Sequence, residues 1–236
     1  MSSSLRSATP VCLVVRWPRA LTPAAGPAQL LRRLVEDHLP ATWGVEAIEQ
    51  AKVLDAAVHL IESAILIPKL SAATASDVIA EGLHRFTAAG HEVATLCIDA
   101  ELPRGQVERQ LAQQGVQTII AESAASDSRA VCPLPFGIWQ LVPQGKLPSH
   151  WRWFRRLGGL SQDFFSAASG PTIASIDLAA IGSIDGRGWR EMEKAIDQAA
   201  TASDQGVIQL TTVTELAAEL SRQSAPKPQR SILRAA

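Results

Sequence analysis

Apolar residues fall into short runs that alternate along the chain with longer amphipathic segments. The short runs are rich in β-branched and other apolar residues and are bounded by Gly, Pro or polar residues, as buried strands are. They predict strands at 11–15, 41–45, 63–67, 92–98, 116–121, 138–142, 173–177 and 206–210. Because the run from Val11 to Val15 is continuously apolar, it predicts a central strand that is buried on both faces and parallel to strand 41–45.

Between these strands, apolar residues recur at helical spacing. Two stripes are formed by Leu30, Leu31, Leu34 and Val35, and by Val78, Ile79, Leu83 and Phe86. Thr212 and Glu215 stand at the spacing of a capping box, which predicts the start of a last helix. This alternation of strands and helices predicts an α/β protein with a parallel sheet.

Length and composition indicate one globular domain. The chain has 236 residues, of which 47% are hydrophobic, and this is enough for one well-buried core. We expect that domain to span residues 10–221. Residues 1–9 and 222–236 have no apolar period, so we expect a disordered amino terminus and a disordered basic carboxyl-terminal tail.

Charge, hydropathy and cysteine content narrow the classes of partner and compartment. A net charge of -1 argues against a nucleic-acid surface, because such surfaces carry a basic excess. No apolar stretch approaches the roughly 18 residues that a membrane helix needs, and the run from Val11 to Val15 is too short for a signal peptide. Three cysteines, two of them inside predicted strands, favour a reducing cytoplasm.

Several segments follow one another in the order found in a known enzyme family. Gly90–Cys97 begins with Gly-His-Glu, strands are predicted at 11–15 and within 39–45, Pro-Leu-Pro-Phe-Gly stands at 133–137, and a strand followed by a helix is predicted over 206–216. In order and spacing they resemble the polysaccharide deacetylase (NodB homology) family. The resemblance runs along most of the chain and implies a distorted (β/α) barrel of about seven or eight strands.

The family's metal ligands are not matched. Its members have two aspartates after the first strand and two histidines after Gly-His-Glu, where this chain has Arg16 and Trp17, then Leu96 and Ala100. Pro133 stands in place of the arginine of the third motif. Metal-assisted amide hydrolysis needs imidazole and carboxylate ligands, and a guanidinium repels a cation. We therefore expect no metal, no cofactor and no metal-dependent deacetylase activity.

In α/β barrels the loops after the strands build the site. The candidate ligand-binding residues there are Arg16, Trp17, Glu46 and Glu122. Carboxylates that could act as an acid and a base without a metal are Asp99, Glu101 and Asp177, although such residues also cap the helices that follow strands. Trp17 could stack on a sugar face, whereas most tryptophans are large core residues.

Three functions remain open at this point. The first is an inactive deacetylase-like protein with a glycan-related binding or regulatory role. The second is a metal-independent carbohydrate-active hydrolase that uses rim carboxylates. The third is a protein-interaction module, for which the aromatic and basic residues Trp151, Trp153, Arg155 and Arg156 provide a candidate surface.

Overall fold

The computed structural model describes residues 8–21, 25–67, 75–98, 106–121, 130–147, 171–184 and 186–224. Its strands are β1 (Thr9–Trp17), β2 (Ala41–Val45), β3 (Ile61–Ile67), β4 (Thr95–Ile98), β5 (Thr118–Ala121), β6 (Val131–Pro133), β7 (Trp139–Leu141), β8 (Gly145–Leu147), β9 (Thr172–Asp177) and β10 (Ile208–Thr211). Its helices are α1 (Ala25–Glu36), α2 (Ile48–Leu54), α3 (Ala75–Ala88), α4 (Gln106–Gln113), α5 (Leu178–Ile181), α6 (Arg187–Asp204) and α7 (Val213–Ser224).

All ten of these strands belong to one sheet, in the order β6-β7-β5-β4-β3-β2-β1-β9-β8, with β10 beside the first half of β1. Every pair is parallel except β6 with β7. The predicted α/β class is therefore confirmed. So is the central position of β1, which pairs in parallel with β2 through Val14–Trp17. The short strands β6 and β8, at the two ends of that order, were not predicted.

The sheet is strongly curled. Neighbouring strands lie about 4.8 Å apart, so β2 and β4, which are separated by β3, would be roughly 10 Å apart in a flat sheet. A Cβ atom placed on Gly44 of β2 would nevertheless lie 3.0 Å from Cys97 Sγ of β4. Among the described strands β6 and β8 do not pair with each other. The sheet is therefore an open half-barrel rather than a closed barrel.

The two faces of the sheet pack against different layers. The outer face carries Leu13, Val15 and Trp43, which pack with residues of α1, α3 and α6 such as Leu34, Phe86 and Ile196. The concave face carries a second apolar cluster, which α7 covers. That cluster contains Cys12, Val14, Ala64, Leu66, Cys97, Ile120, Leu141 and Ile173 from the sheet, with Val213 and Leu216 from α7.

The predicted capping box begins α7. The Thr212 amide donates to Glu215 Oε2 at 3.0 Å, and the Glu215 amide donates to Thr212 Oγ1 at 3.3 Å. The bond from the Thr212 amide is the largest of the effects that lower the pKa of the Glu215 carboxyl. Local spacing thus predicted where the helix begins, but not that it packs on the concave face.

Other sequence expectations can be placed on the fold. Cys12 and Cys97 are buried free thiols inside strands, as expected, whereas Cys132 is exposed. Burial raises the pKa of the Cys12 thiol well above its usual range, with Glu62 and Glu215 adding to the effect. No helix in the described ranges is long and apolar enough to span a bilayer. The segments 1–7 and 225–236, most of the predicted disordered termini, lie outside the described residues.

Candidate functional site

Arg16 lies at the carboxyl edge of the sheet, which we define as the edge where the parallel strands end. Side chains of β1 alternate between the faces: Val15 and Trp17 belong to the outer cluster, and Cys12 and Val14 to the concave one. Arg16 therefore projects on the concave side, where it is buried to 8% exposure. In the register of the sheet it stands beside Gly44 of β2 and Asp177 of β9.

Trp17, a candidate ligand-binding residue, lies on the opposite face. Its side chain is 4% exposed and packs edge-on against Trp43, with ring centroids 5.8 Å apart and planes at 74°. The side-chain amide of Gln50 donates to the Trp17 carbonyl oxygen at 3.1 Å. Both faces of the indole are consequently covered by protein, in the outer core rather than at the mouth of the half-barrel.

Asp177 and Glu46 occupy the rim, where they contribute to helix starts. Asp177 is the N-cap of α5, and its Oδ1 accepts the Ala179 amide at 3.0 Å. The half-buried Glu46 donates its backbone amide to Gln50 Oε1 at 3.0 Å. The remaining candidates, Asp99, Glu101, Glu122 and the cluster of Trp151, Trp153, Arg155 and Arg156, lie outside the described residues.

The positions that the family resemblance assigns to metal ligands do not meet at one place. Arg16 is on the concave face, whereas Leu96 is fully buried in the outer cluster. Ala100 lies outside the described residues. Within the described ranges, no group of three or more His, Cys, Asp or Glu side chains could hold a metal ion. A ligand at position 96 would point into the helical layer, away from Arg16.

The Pro-Leu-Pro-Phe-Gly segment is also far from the carboxyl edge. Because β6 is antiparallel to β7, the turn between them lies at the opposite edge, where the parallel strands begin; we call this the amino edge. Trp139 at the start of β7 pairs with Thr118, the first residue of β5. At the tip of the turn, Phe136 is 58% exposed and has a φ of +63°, a left-handed conformation that is unusual for an aromatic residue.

A polar network that the sequence analysis missed lies at the amino edge. Oε2 of Glu62 on β3 accepts the Thr42 hydroxyl at 2.9 Å and the Thr214 amide at 3.0 Å. Its Oε1 accepts the hydroxyls of Thr95 at 2.6 Å and of Thr214 at 2.7 Å. One carboxylate therefore joins β2, β3 and β4 to the first turn of α7. A polar residue near the start of each of these strands was the available sequence signal.

The same edge contains an open cavity of about 280 Å³. Its lining includes Asp55, His59, Glu62, Glu92, Thr214 and Glu215. The Glu62 carboxylate is occupied by the four donors of the network. Within this cavity the Glu62 carboxylate is therefore bonded to protein groups, and these bonds hold α7 on the sheet.

The turn that contains the Gly-His-Glu sequence has a structural explanation. Gly90 has a φ of +85°, as expected for the residue that ends a helix in a left-handed conformation. The imidazole of His91 then packs near the Phe86 ring, with centroids 6.2 Å apart, and its Nδ1 lies 3.7 Å from Asp55 Oδ1. His91 therefore packs at a turn between helix and strand.

Comparison with known proteins gives similarity of fold only. No protein-family model matches the sequence, and no curated protein sequence matches it. Among solved structures, the chain is similar to 4-alpha-glucanotransferase from Thermococcus litoralis, with 12% identity and a TM-score of 0.55 over 89% of this chain. The match spans 38% of the length of that protein.

A second similar structure is that of a candidate polysaccharide deacetylase involved in O-antigen biosynthesis from Bordetella bronchiseptica. Its identity is 10% and its TM-score is 0.48, over 90% of both chains. At these levels of identity, neither similarity carries information about activity. The chain shares with the larger glucanotransferase an α/β fold built on a curled sheet.

Proposed function

We propose that this chain is a polysaccharide deacetylase-like protein without metal-dependent activity that binds a glycan-related ligand at the carboxyl edge of its half-barrel. The observation that carries the proposal is the position of Arg16. It places a buried positive charge on the concave face, at the edge where α/β folds build their sites. In the family that the sequence resembles, a metal-binding carboxylate stands at the position of Arg16.

The chemistry of the other positions supports the loss of metal-dependent hydrolysis. An aliphatic side chain at position 96 has no lone pair for a metal, and Leu96 faces the helical layer. Asp177, the nearest carboxylate to Arg16 in the register, accepts a backbone amide as a helix cap. A capping role also argues against Asp177 as the acid or base of a metal-independent hydrolase, because protonation would weaken the cap.

Metal analysis combined with an activity assay tests the catalytic half of the proposal. The protein is purified with zinc or cobalt present, its metal content is measured, and deacetylation of an N-acetylated oligosaccharide is followed with and without a chelator. We expect far less than one metal ion per chain and no chelator-sensitive product. A metal-dependent deacetylase treated in the same way is the positive control. Stoichiometric metal together with chelator-sensitive activity would refute the proposal.

Direct binding measurements test the second half of the proposal, which is that the chain binds a glycan-related ligand. A panel of oligosaccharides is titrated into the protein by calorimetry, and we expect at least one to bind at the carboxyl edge. The location is checked with Arg16→Gln, for which weaker binding is expected, and with Arg85→Gln, which removes an exposed arginine from α3 on the outer side. A panel in which nothing binds, or equal binding by both variants and the parent, would count against a glycan site at Arg16.

A further inference from the structure

An apolar turn is exposed at the amino edge, between β6 and β7. It consists of Pro133, Leu134, Pro135 and Phe136, of which Leu134 is half-buried and the others are exposed. We call these four residues the turn patch. The sequence over 131–141, which holds the turn and the two strands beside it, contains no charged residue. Contiguous exposed apolar residues, unlike single ones, are typical of interaction surfaces.

Phe136 is unfavourable at its position in two ways. Its side chain is 58% exposed to water, and its φ of +63° is one that residues other than Gly, Asn and Asp rarely adopt. An asparagine would suit both the backbone and the solvent. Strain of this kind is concentrated at functional sites, so the aromatic ring indicates a contact that the described residues do not make.

The carboxyl-terminal tail, residues 225–236, leaves α7 beside the turn patch. The indole Nε1 of Trp139 donates to Ser221 Oγ at 2.9 Å, and this bond joins the last part of α7 to the first residue of β7. Trp139 follows Phe136 closely in the chain, and α7 ends at Ser224. The tail therefore starts near the turn patch, and a contact between the two is an intramolecular one with a high effective concentration.

The tail has side chains that suit this patch. Ile232 and Leu233 are its two large aliphatic residues. Its charged residues are all basic, Arg230 and Arg234 among them, and a guanidinium over the face of the Phe136 ring is favourable. From the end of α7 to Ile232 the extended chain spans up to roughly 26 Å, which is several times the spacing of neighbouring strands. The tail is thus long enough to bring its aliphatic pair to the patch.

We propose that the carboxyl-terminal tail of this chain docks on the turn patch, with Ile232 and Leu233 against the Phe136 ring. A segment without an apolar period does not fold alone, but it can become ordered when it binds a surface. Docking takes the ring out of water and so accounts for an aromatic residue at a strained position. It does not depend on the glycan site proposed above.

Disulfide trapping in the full chain tests this docking. Cys132 of β6, beside the turn patch, is exposed, whereas the other two cysteines are buried. Ser231→Cys adds a second accessible thiol next to Ile232. In a glutathione redox buffer we expect the disulfide within one chain to form at least about fivefold faster than when Ile232→Ser and Leu233→Ser are also present, since the tether is the same and only docking differs.

A matched pair of substitutions examines the patch itself. Phe136→Asn removes the ring and suits the left-handed backbone, so it should slow the disulfide as much as the tail substitutions do. Val78→Asn, at an exposed apolar position of α3, should leave the rate unchanged. Equal rates with and without Ile232 and Leu233, or with and without the Phe136 ring, overturn the docking. A disulfide that forms between chains and faster at higher protein concentration assigns the patch to a second copy, and also overturns it.

Discussion

Replacement of Glu62 by glutamine tests whether the amino-edge network holds α7 on the sheet. In the parent, two oxygens accept four bonds at 2.6 to 3.0 Å. The carboxamide keeps one accepting oxygen, which must face the Thr214 amide because that amide can only donate. Its NH₂ group then faces the hydroxyls of Thr95 and Thr214, which can rotate to accept. The network is kept, but without charge assistance.

The expected loss follows from the number of bonds. A hydrogen bond to a charged group contributes roughly 0.5 kcal/mol or more beyond a neutral one, so four bonds give about 2 kcal/mol. For a protein of this size that corresponds to a fall in melting temperature of about 4–8 °C. Because two of the donors belong to Thr214, the amides of α7 should also exchange faster with solvent, while those of α3 should not change.

Urea unfolding followed by circular dichroism gives the free energy of unfolding, and hydrogen exchange gives the protection of α7. Glu81→Gln makes the same chemical change at an exposed position of α3 and should stay within about 0.5 kcal/mol of the parent. The reasoning fails if Glu62→Gln and Glu81→Gln have the same free energy of unfolding, or if Glu62→Gln leaves the hydrogen-exchange protection of α7 unchanged.

Four further substitutions test other parts of the fold. Gly44→Ala should lower the free energy of unfolding, measured by urea unfolding, by about 1–3 kcal/mol, because its Cβ would lie 3.0 Å from Cys97 Sγ. Gly82→Ala in α3 should instead raise that free energy by about 0.5–1 kcal/mol, because the atom nearest to its Cβ, in the Ile65 side chain, is 3.8 Å away. Phe136→Asn should raise the melting temperature slightly, since asparagine tolerates a φ of +63° better than phenylalanine; a lower value would contradict this. The pKa of the Glu215 carboxyl is lower in the folded protein than its ordinary value of 4.5. The stability that results is present above pH 4.5 and is lost as the pH falls through the pKa of the folded state. Glu215→Gln should therefore make the free energy of unfolding depend less steeply on pH in acid.

The elements were predictable where the signal is local. A continuous apolar run identified β1 and its burial, and the capping-box spacing identified the start of α7 to the residue. Both depend on neighbours within a few positions, so one sequence suffices. The short edge strands β6 and β8, of three residues each, have no such period and were missed.

The placement of functional groups was less predictable because it depends on which face each strand presents. Trp17 and Arg16 are adjacent in sequence, yet the alternation of side chains puts one in the outer core and the other on the concave face. The Pro-Leu-Pro-Phe-Gly segment matched a motif by order, but the antiparallel direction of β6 carries it to the amino edge. The order of motifs along a sequence does not show whether a strand runs parallel or antiparallel to its neighbours, and therefore not at which edge of the sheet a segment lies.

By itself, therefore, the sequence determined the α/β class, the central parallel strand and the local helix start, since each follows from the period or chemistry of adjacent residues. Tertiary structure alone decided that the half-barrel stays open, that α7 covers its concave face, and that Glu62 joins three strands to that helix. The bonds of Glu62 reach residues 20 to 152 positions away in the chain. Only the curl of the sheet brings such distant donors to one carboxylate.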